Sequence, residues 1–139
     1  MRILVCGGRD YGAPTDDPEL KELRKKQYHH VQTVLDQLLY DPNDEYHMPY
    51  KDACIIHGAA KGADTAAWDY TAVHWTDCIP FPADWDRYGK DAGPIRNKQM
   101  LDKGKPNLVV AFPGGKGTAN MIKQAKEAGI PVLEIESIN

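Results

Sequence analysis

Residues 107–121, NLVVAFPGGKGTANM, join an apolar run to a segment with helical spacing through a loop that contains three glycines. The apolar run predicts a buried strand at 107–112, and the amphipathic segment predicts a helix at 117–129. Glycine lets the backbone turn sharply and lets a ligand approach without a Cβ in the way. Amides at the start of the following helix point outward without partners, at the positive end of the helix dipole. This stretch therefore predicts a strand–loop–helix unit whose loop is shaped to hold a phosphate.

The same alternation extends over the rest of the chain. Predicted strands lie at 2–6, 53–57, 77–82, 107–112 and 130–135. Predicted helices lie at 18–40, 65–75, 94–104 and 117–129, and the predicted surface loops at 41–52 and 83–93. Strands rich in Val, Ile and Leu on both faces are typical of a parallel sheet covered by helices on each side. The prediction is an α/β fold, a single domain over residues 1–139 with a doubly wound parallel sheet of about five strands in the order 3-2-1-4-5.

Composition and charge restrict the classes of function. The 17 basic and 20 acidic residues give a net charge of −3, which argues against binding of a nucleic-acid backbone because such binding needs a basic surface. No apolar stretch approaches the ~20 residues that span a bilayer. The first residues, MRILVC, are too short for a signal-peptide core. We therefore expect a cytoplasmic protein that binds neither a membrane nor nucleic acid.

Cysteine and histidine patterns predict no metal site. The three cysteines form no CxxC pair, and two of them lie in apolar runs, so buried reduced thiols are expected. The five histidines show no metal-ligand spacing. His57 closes the second predicted strand, where a structural imidazole is expected. Neither a metal nor a cofactor is predicted.

Three predicted strands end in glycine-containing loops. In the order 3-2-1-4-5 the first strand lies between the second and the fourth, so all three loops would meet at one crevice beyond the carboxyl ends of the strands. Each loop carries a basic side chain, and its glycines and amides suit an anion. The predicted ligand-binding residues are Gly7, Gly8, Arg9 and Asp10 in the first loop, Gly58, Lys61, Gly62 and Asp64 in the second, and Pro113, Gly114, Gly115, Lys116, Gly117, Thr118 and Asn120 in the third.

Two well-known phosphate patterns are absent from these loops. No stretch fits GxxxxGK(S/T), so a Walker-type triphosphatase is disfavoured. The sequence GKGTAN departs from GxGxxG at Asn120, and its loop follows the fourth strand rather than the first. A standard dinucleotide dehydrogenase is therefore also disfavoured.

The segment FPADWDRYGKDAGPIRNKQM (81–100) supplies a further candidate surface. It places aromatic rings beside acids and bases, a mixture that suits a purine ring and a ribose. Long loops in small domains are more often functional than not. Trp85 or Tyr88 is predicted to stack on a base, and a carboxylate of the segment to accept from sugar hydroxyls. Trp85, Arg96 and Asn97 are predicted to bind the same ligand.

Four stretches occur together in this chain: GGRDY, HGAAKGADTAA, FPADWDRYGKDAGPIRNKQML and AFPGGKGTANM. Together they resemble the SLOG superfamily of Rossmann-like nucleotide-binding domains, and within it the small YspA/YpsA-related group found in phages and bacteria. The resemblance covers nearly the whole chain apart from about residues 13–52. More distantly it extends to the LOG-type phosphoribohydrolases, whose PGGxGTxxE motif follows an upstream arginine. Here PGGKGT matches and Arg96 stands at the arginine position, but the glutamate positions hold Asn120 and Met121.

The resemblance and the missing acid predict binding rather than cleavage. Splitting an N-glycosidic bond is usually the work of a carboxylate, and losing a general base removes ~10²–10⁴-fold of rate. We expect a nucleotide or nucleotide-derived ligand and a role as a sensor, carrier or sequestering protein.

Enzymatic activity stays open, and two alternatives remain. One is a nucleotide hydrolase or N-ribohydrolase that uses a relocated carboxylate, which Asp10, Asp64, Asp84 or Asp86 could supply. Its candidate catalytic residues are Arg96, Asp84 and Asp86. The weaker one is single-stranded DNA binding, as the resemblance to DNA-processing proteins implies. The resemblance also implies self-association, with a dimer favoured.

Overall fold

A computed structural model describes residues 1–46 and 48–138. Its strands are β1 (Arg2–Cys6), β2 (Cys54–His57), β3 (Asp77–Pro80), β4 (Leu108–Ala111) and β5 (Val132–Glu134). Its helices are α1 (Lys21–Leu39), α2 (Ala63–His74), α3 (Trp85–Tyr88), α4 (Ala92–Gly104) and α5 (Lys116–Glu127), with a 3-10 turn at Gly89–Asp91 between α3 and α4.

The five strands form one parallel sheet in the order β3-β2-β1-β4-β5. The central strand β1 pairs Leu4 with Ile56 of β2 on one side and with Val109 of β4 on the other. The predicted fold class and strand order are confirmed. Strand order reverses beside β1, and the ends of β1, β2 and β4 therefore form the crevice.

Alternate side chains of β1 enter the two halves of the core. Ile3 and Val5 pack with residues of α1 and α2, such as Leu35. Leu4 and Cys6 pack on the opposite face with residues of α4 and α5. This alternation follows from the period of two along a strand, and it explains why β1 is apolar from Ile3 to Cys6: both faces of the strand are covered there.

The first helix begins later than predicted. Proline at position 18 suggests a helix start there, but α1 begins at Lys21. The Asp17 carboxylate accepts the N–H of Glu19, and the Asp17 carbonyl accepts the N–H groups of Leu20 and Lys21. These bonds form a turn that precedes the helix, so Asp17 caps a turn rather than the helix itself.

The prediction of a loop at 83–93 is wrong. Asp84 accepts the N–H of Arg87 and caps the short helix α3, and α4 begins at Ala92, before Pro94. Proline is tolerated in a first helical turn because the amides there have no intrahelical partner. The segment is therefore ordered as short helical turns that bring Trp85 beside the crevice.

Within residues 1–46 and 48–138, no helix is long and apolar enough to cross a membrane. In the same residues, no group of three or more His, Cys, Asp or Glu side chains is arranged to hold a metal ion.

Candidate functional site

The loops after β1, β2 and β4 contact one another at the carboxyl edge of the sheet. Gly8 donates its N–H to the carbonyl of Pro113 at 2.8 Å, and its own carbonyl accepts the N–H of Ala63 at 3.3 Å. A Cβ on Gly62 would overlap the Gly8 carbonyl, and Gly62 has a φ of +79° that favours glycine. The loop after β1 therefore lies between the other two loops and contacts both.

A cavity of about 560 Å³ opens beside this junction, and we refer to it as the main cavity. Its volume falls in the ~300–1,000 Å³ range of small-molecule sites. The predicted ligand-binding residues that line it are Gly7, Gly8, Arg9, Asp64, Trp85, Arg96, Asn97, Gly115, Lys116, Gly117, Thr118 and Asn120.

The other predicted ligand-binding residues lie behind or beside this wall. Some line a neighbouring cavity, namely Asp10, Gly58 and Lys61. The rest belong to the packed junction at Gly8, namely Gly62, Pro113 and Gly114.

Among the candidate catalytic residues, Asp84 and Asp86 lie outside the lining of the main cavity. The carboxylate of Asp84 accepts the Arg87 N–H at 3.1 Å and lines a small side cavity that Arg96 shares. Asp86 is exposed on α3. The third candidate, Arg96, does line the main cavity.

The start of α5 is open to the main cavity. Gly115 is the N-cap residue and provides no side-chain cap, and the first intrahelical bond runs from the Ala119 N–H to the Gly115 carbonyl. Helix geometry leaves the amides of the preceding turn without intrahelical partners. A Cβ built on Gly115 or on Gly117 would meet no atom of the described residues within 4 Å. Space and outward-facing donors therefore coincide here.

The loop after β2 is closed by its own side chains. Asp64 Oδ2 accepts the N–H of Gly58 at 3.1 Å and that of Ala60 at 3.3 Å. The Ala59 N–H donates to Nδ1 of His57 at 3.0 Å. The amides of Gly58, Ala59 and Ala60 are therefore bonded to acceptors that the protein itself supplies.

Asp64 has one oxygen in use and one without a partner. Its Oδ1 is buried and has no hydrogen-bond partner among the described residues. Burial raises the pKa of Asp64 to about 6, against the opposing effects of the Ala60 amide, the Arg96 charge and the Gly58 amide. It is the one carboxylate among the described residues that line the main cavity. Beside it, burial raises the pKa of Cys6 to about 12, so this thiol stays protonated.

Arg96 reaches from α4 across the end of β2. Its Nη1 donates to the Gly58 carbonyl at 2.6 Å, and its Nε donates to Oδ1 of Asn97 at 3.1 Å. Burial and the nearby Arg9 lower the pKa of Arg96, while Asp64 raises it. These two bonds fix the guanidinium and leave Nη2 available to a ligand, since no described residue is bonded to it.

Asn120 is part of an amide network that ties α4 to α5. Its Oδ1 accepts from Asn97 Nδ2 at 3.1 Å and from Gln124 Nε2 at 2.7 Å. Asn97 Nδ2 also donates to the carbonyl of Gly117 at 3.2 Å. Met121 is fully buried in the core. Counted from Pro113, the glutamate of PGGxGTxxE falls on Met121, a buried thioether, and Asn120 just before it is a hydrogen-bonded amide. Neither side chain can accept a proton near pH 7.

His57 is a structural imidazole in this arrangement. Burial, and to a smaller extent the Arg96 charge, lowers its pKa to about 4. Because Nδ1 accepts the Ala59 N–H, the ring proton lies on Nε2, which is 3.1 Å from the Cys78 sulfur. A ring that is neutral and fully bonded is unsuited to acid–base chemistry near pH 7.

The sequence did not identify every residue in the wall. The further lining residues are Val5, Cys6, Ala60, Lys90, Gly93, Pro94 and Met100. Segment 81–100 indicates the neighbourhood of Lys90, but no spacing separates this lysine from the exposed charges beside it. The apolar residues among them could not be distinguished from ordinary core residues.

The charge of the wall is strongly positive. Arg9, Lys90, Arg96 and Lys116 line it, against the single carboxylate of Asp64. None of these four cations is within ion-pair distance of a carboxylate among the described residues. In a chain of net charge −3, this local excess favours an anionic ligand.

Comparisons with known proteins bear on the family and the fold of this chain. The sequence model of the YspA, cpYpsA-related SLOG family (YAcAr) matches residues 1–88. The Gene 61 protein of Mycobacterium phage D29 is 36% identical over 97 residues, which cover 65% of this chain and 77% of that protein. The X-ray structure of TM1055, a structural genomics target, superposes with a TM-score of 0.60 over 94% of this chain and 71% of its own, at 17% identity. That likeness confirms the Rossmann-like fold.

Proposed function

Since this chain belongs to the YspA, cpYpsA-related SLOG family, we propose that it binds a nucleotide or nucleotide-derived ligand in the main cavity. The family and the Rossmann-like fold support a nucleotide-related function in general. The observation that carries the specific proposal is the uncapped start of α5, which faces a cavity whose wall carries four cations and one carboxylate.

A phosphate group of the ligand binds at the start of α5. The amides of Lys116, Gly117 and Thr118 lie at the positive end of the helix dipole, and the Lys116 side chain adds a full charge. Two glycines leave the approach free of side chains, because Gly115 and Gly117 both face open space.

The nucleoside part of the ligand extends toward Trp85 and Asp64. The Trp85 ring is half-exposed and lies at the mouth of the cavity, where it is able to stack on a base. The unpartnered Oδ1 of Asp64 is an acceptor for a sugar hydroxyl. A buried acceptor without a donor is costly, so a ligand that supplies the donor gains affinity there.

Isothermal titration with 5′-AMP tests the proposal. We expect binding by the natural protein and a loss of roughly 100-fold in affinity for Gly115→Val, since two charge-assisted bonds of about 1.5 kcal/mol each are blocked. Gly129→Ala serves as control, because Gly129 also faces open space but lies between α5 and β5, outside the lining of the cavity. Equal affinity of Gly115→Val and the natural protein would place the phosphate elsewhere.

A second candidate function is hydrolysis of the bound nucleotide. It is favoured by one observation: the carboxylate with a pKa of about 6 lines the main cavity, and Asp64 is therefore largely ionised and able to accept a proton at pH 7. Chromatography of AMP after incubation would detect the free base. Base release by the natural protein that is lost in Asp64→Asn would make the protein an enzyme, and stable AMP would leave it a binding protein.

A further inference from the structure

A second cavity of about 660 Å³ adjoins the main cavity. The two cavities share Arg9, Ala60, Trp85 and Arg96 in their walls. The Arg9 guanidinium lies 5.4 Å from the centre of the Trp85 ring. This stacked pair stands where the two cavities meet, so they are two halves of one cleft.

The second cavity is as basic as the first. Its wall adds Arg24 from α1 and Lys61 from the loop after β2 to the shared arginines, and Asp10 is its one carboxylate among the described residues. Arg24 is half-buried, and its Nη1 lies 3.4 Å from the carbonyl of Ala13.

These cations have no ion-pair partner among the described residues. Arg9, Arg24, Lys61 and Arg96 all lie more than 4.0 Å from any described carboxylate. The charge of Arg9 also lowers the pKa of Arg96, so the two guanidinium groups are close enough to repel each other. A cluster of like charges that outnumber the nearby carboxylates is stabilised when an anion binds.

We propose that the second cavity binds a second phosphate, and that the ligand carries two phosphate groups separated by a sugar. This inference rests on the proposed function, which puts the first phosphate at the start of α5. The Trp85–Arg9 pair lies between the two anion sites, since both residues line both cavities. We therefore expect the adjacent phosphates of a 5′-diphosphate to stay together at the α5 end. A nucleoside 3′,5′-bisphosphate and a 5′-phosphorylated dinucleotide share the required chemistry.

Titration with isomeric ligands tests the inference. Adenosine 3′,5′-bisphosphate and ADP both carry two phosphates and differ in their placement. We expect the 3′,5′-bisphosphate to bind at least ~10-fold more tightly than AMP, and ADP to gain much less, because only the former reaches both cavities. The dinucleotide pApA distinguishes the two kinds of ligand. If only pApA binds more tightly than AMP, the cleft binds the ends of oligonucleotides; if only the bisphosphate does, the cleft binds small nucleotides.

Substitutions in the second cavity show which residues give the bisphosphate its higher affinity than AMP. Arg24→Ala should remove the advantage of the bisphosphate over AMP while leaving AMP affinity unchanged, because Arg24 does not line the main cavity. Lys61→Ala should also reduce affinity for the bisphosphate. Lys26→Ala, which removes an exposed charge from α1 outside both cavities, should change neither ligand's affinity.

Two results would overturn the inference and leave the proposed function standing. One is equal affinity for AMP and the bisphosphate, and the other is an advantage that survives both Arg24→Ala and Lys61→Ala. If neither AMP nor the bisphosphate binds to the folded protein, the proposed function fails as well.

Discussion

The segments that follow β2 and β4 have similar sequences. Each leads from a buried strand into a helix and contains glycines and a lysine. In the loop at 58–62, the amides of Gly58 and Ala60 are bonded to the Asp64 carboxylate. In the loop at 113–115, the following helix starts without a side-chain cap and faces a cavity. The Asp64 carboxylate thus accepts the amides of the loop after β2. We propose that a ligand phosphate accepts the amides at the helix start after β4 in the same way.

Glycine has a different role in the two loops. At Gly62 it permits close packing, because a Cβ would overlap the backbone of Gly8 and Arg9. At Gly115 and Gly117 it keeps space empty, because a Cβ would contact no other group. A glycine pattern alone does not show whether a glycine permits close packing or leaves space for a ligand. Substitutions whose effects on stability and on ligand affinity are measured separately distinguish the two roles.

The largest expected effect on stability is that of Gly62→Ala. The positive φ of +79° and the overlap with Gly8 should together lower the free energy of unfolding by ~4 kcal/mol, measured by urea denaturation. Gly129→Ala is the matched control: the φ of Gly129, +75°, is similar, but an added Cβ would have no described residue within 4 Å. Gly129→Ala should therefore lower the free energy of unfolding by only about 1 kcal/mol. Equal losses in the two variants would show that the junction of the loops is looser than described.

The next effect concerns the buried carboxylate of Asp64. Its pKa rises from an ordinary 3.8 to about 6 in the folded state, so the folded protein binds more protons than the unfolded chain between these pH values. The contribution of Asp64 therefore lowers the free energy of unfolding as the pH rises from about 4 to 7. The change in pKa corresponds to roughly 3 kcal/mol.

Asp64→Asn removes this titration while keeping an oxygen for the amides of Gly58 and Ala60. The difference in unfolding free energy between the variant and the natural protein should shift in favour of the variant by roughly 3 kcal/mol between pH 3.5 and 7.5. Chemical denaturation at several pH values measures it. A difference that is independent of pH would mean that the environment of Asp64 does not raise its pKa.

The smallest effect on stability is expected at the open loop. Gly117 lies in the first turn of α5 with free space around it, so Gly117→Ala should raise the free energy of unfolding by about 0.5–1 kcal/mol through helix propensity. The added methyl group enters the space proposed for the phosphate, and affinity for AMP should fall. A variant that is both more stable and equally tight in binding would argue against a phosphate at this turn.

Much of the fold could be predicted from local pattern. Alternating apolar strands and amphipathic helices indicate a parallel sheet, and the predicted strand order matches the observed one. Boundaries were less accurate where short-range bonds compete with helix signals, as at Asp17, which caps a turn before α1. The short helix α3 was not predicted from the sequence, although Asp84, three residues before Arg87, fits an N-cap.

The site was predicted less completely, because its chemistry depends on contacts that are not visible in the sequence. Gly58 and its acceptor Asp64 are six residues apart, and the bond forms only once the loop folds back on α2. The bond between Asn97 and Asn120 joins two helices. The sequence therefore indicates which loops meet, and the structure is needed to see which of their amides are already occupied.

The most direct test of this account follows the backbone amides themselves. In ¹H–¹⁵N NMR spectra recorded during titration with AMP, the amide signals of Lys116, Gly117 and Thr118 should shift strongly, and those of Gly58 and Ala60 should shift little, because Asp64 already holds them. Saturable shifts that centre on Gly58 and Ala60 and leave 116–118 unchanged would contradict the central claim that the open helix start after β4 is the anion site.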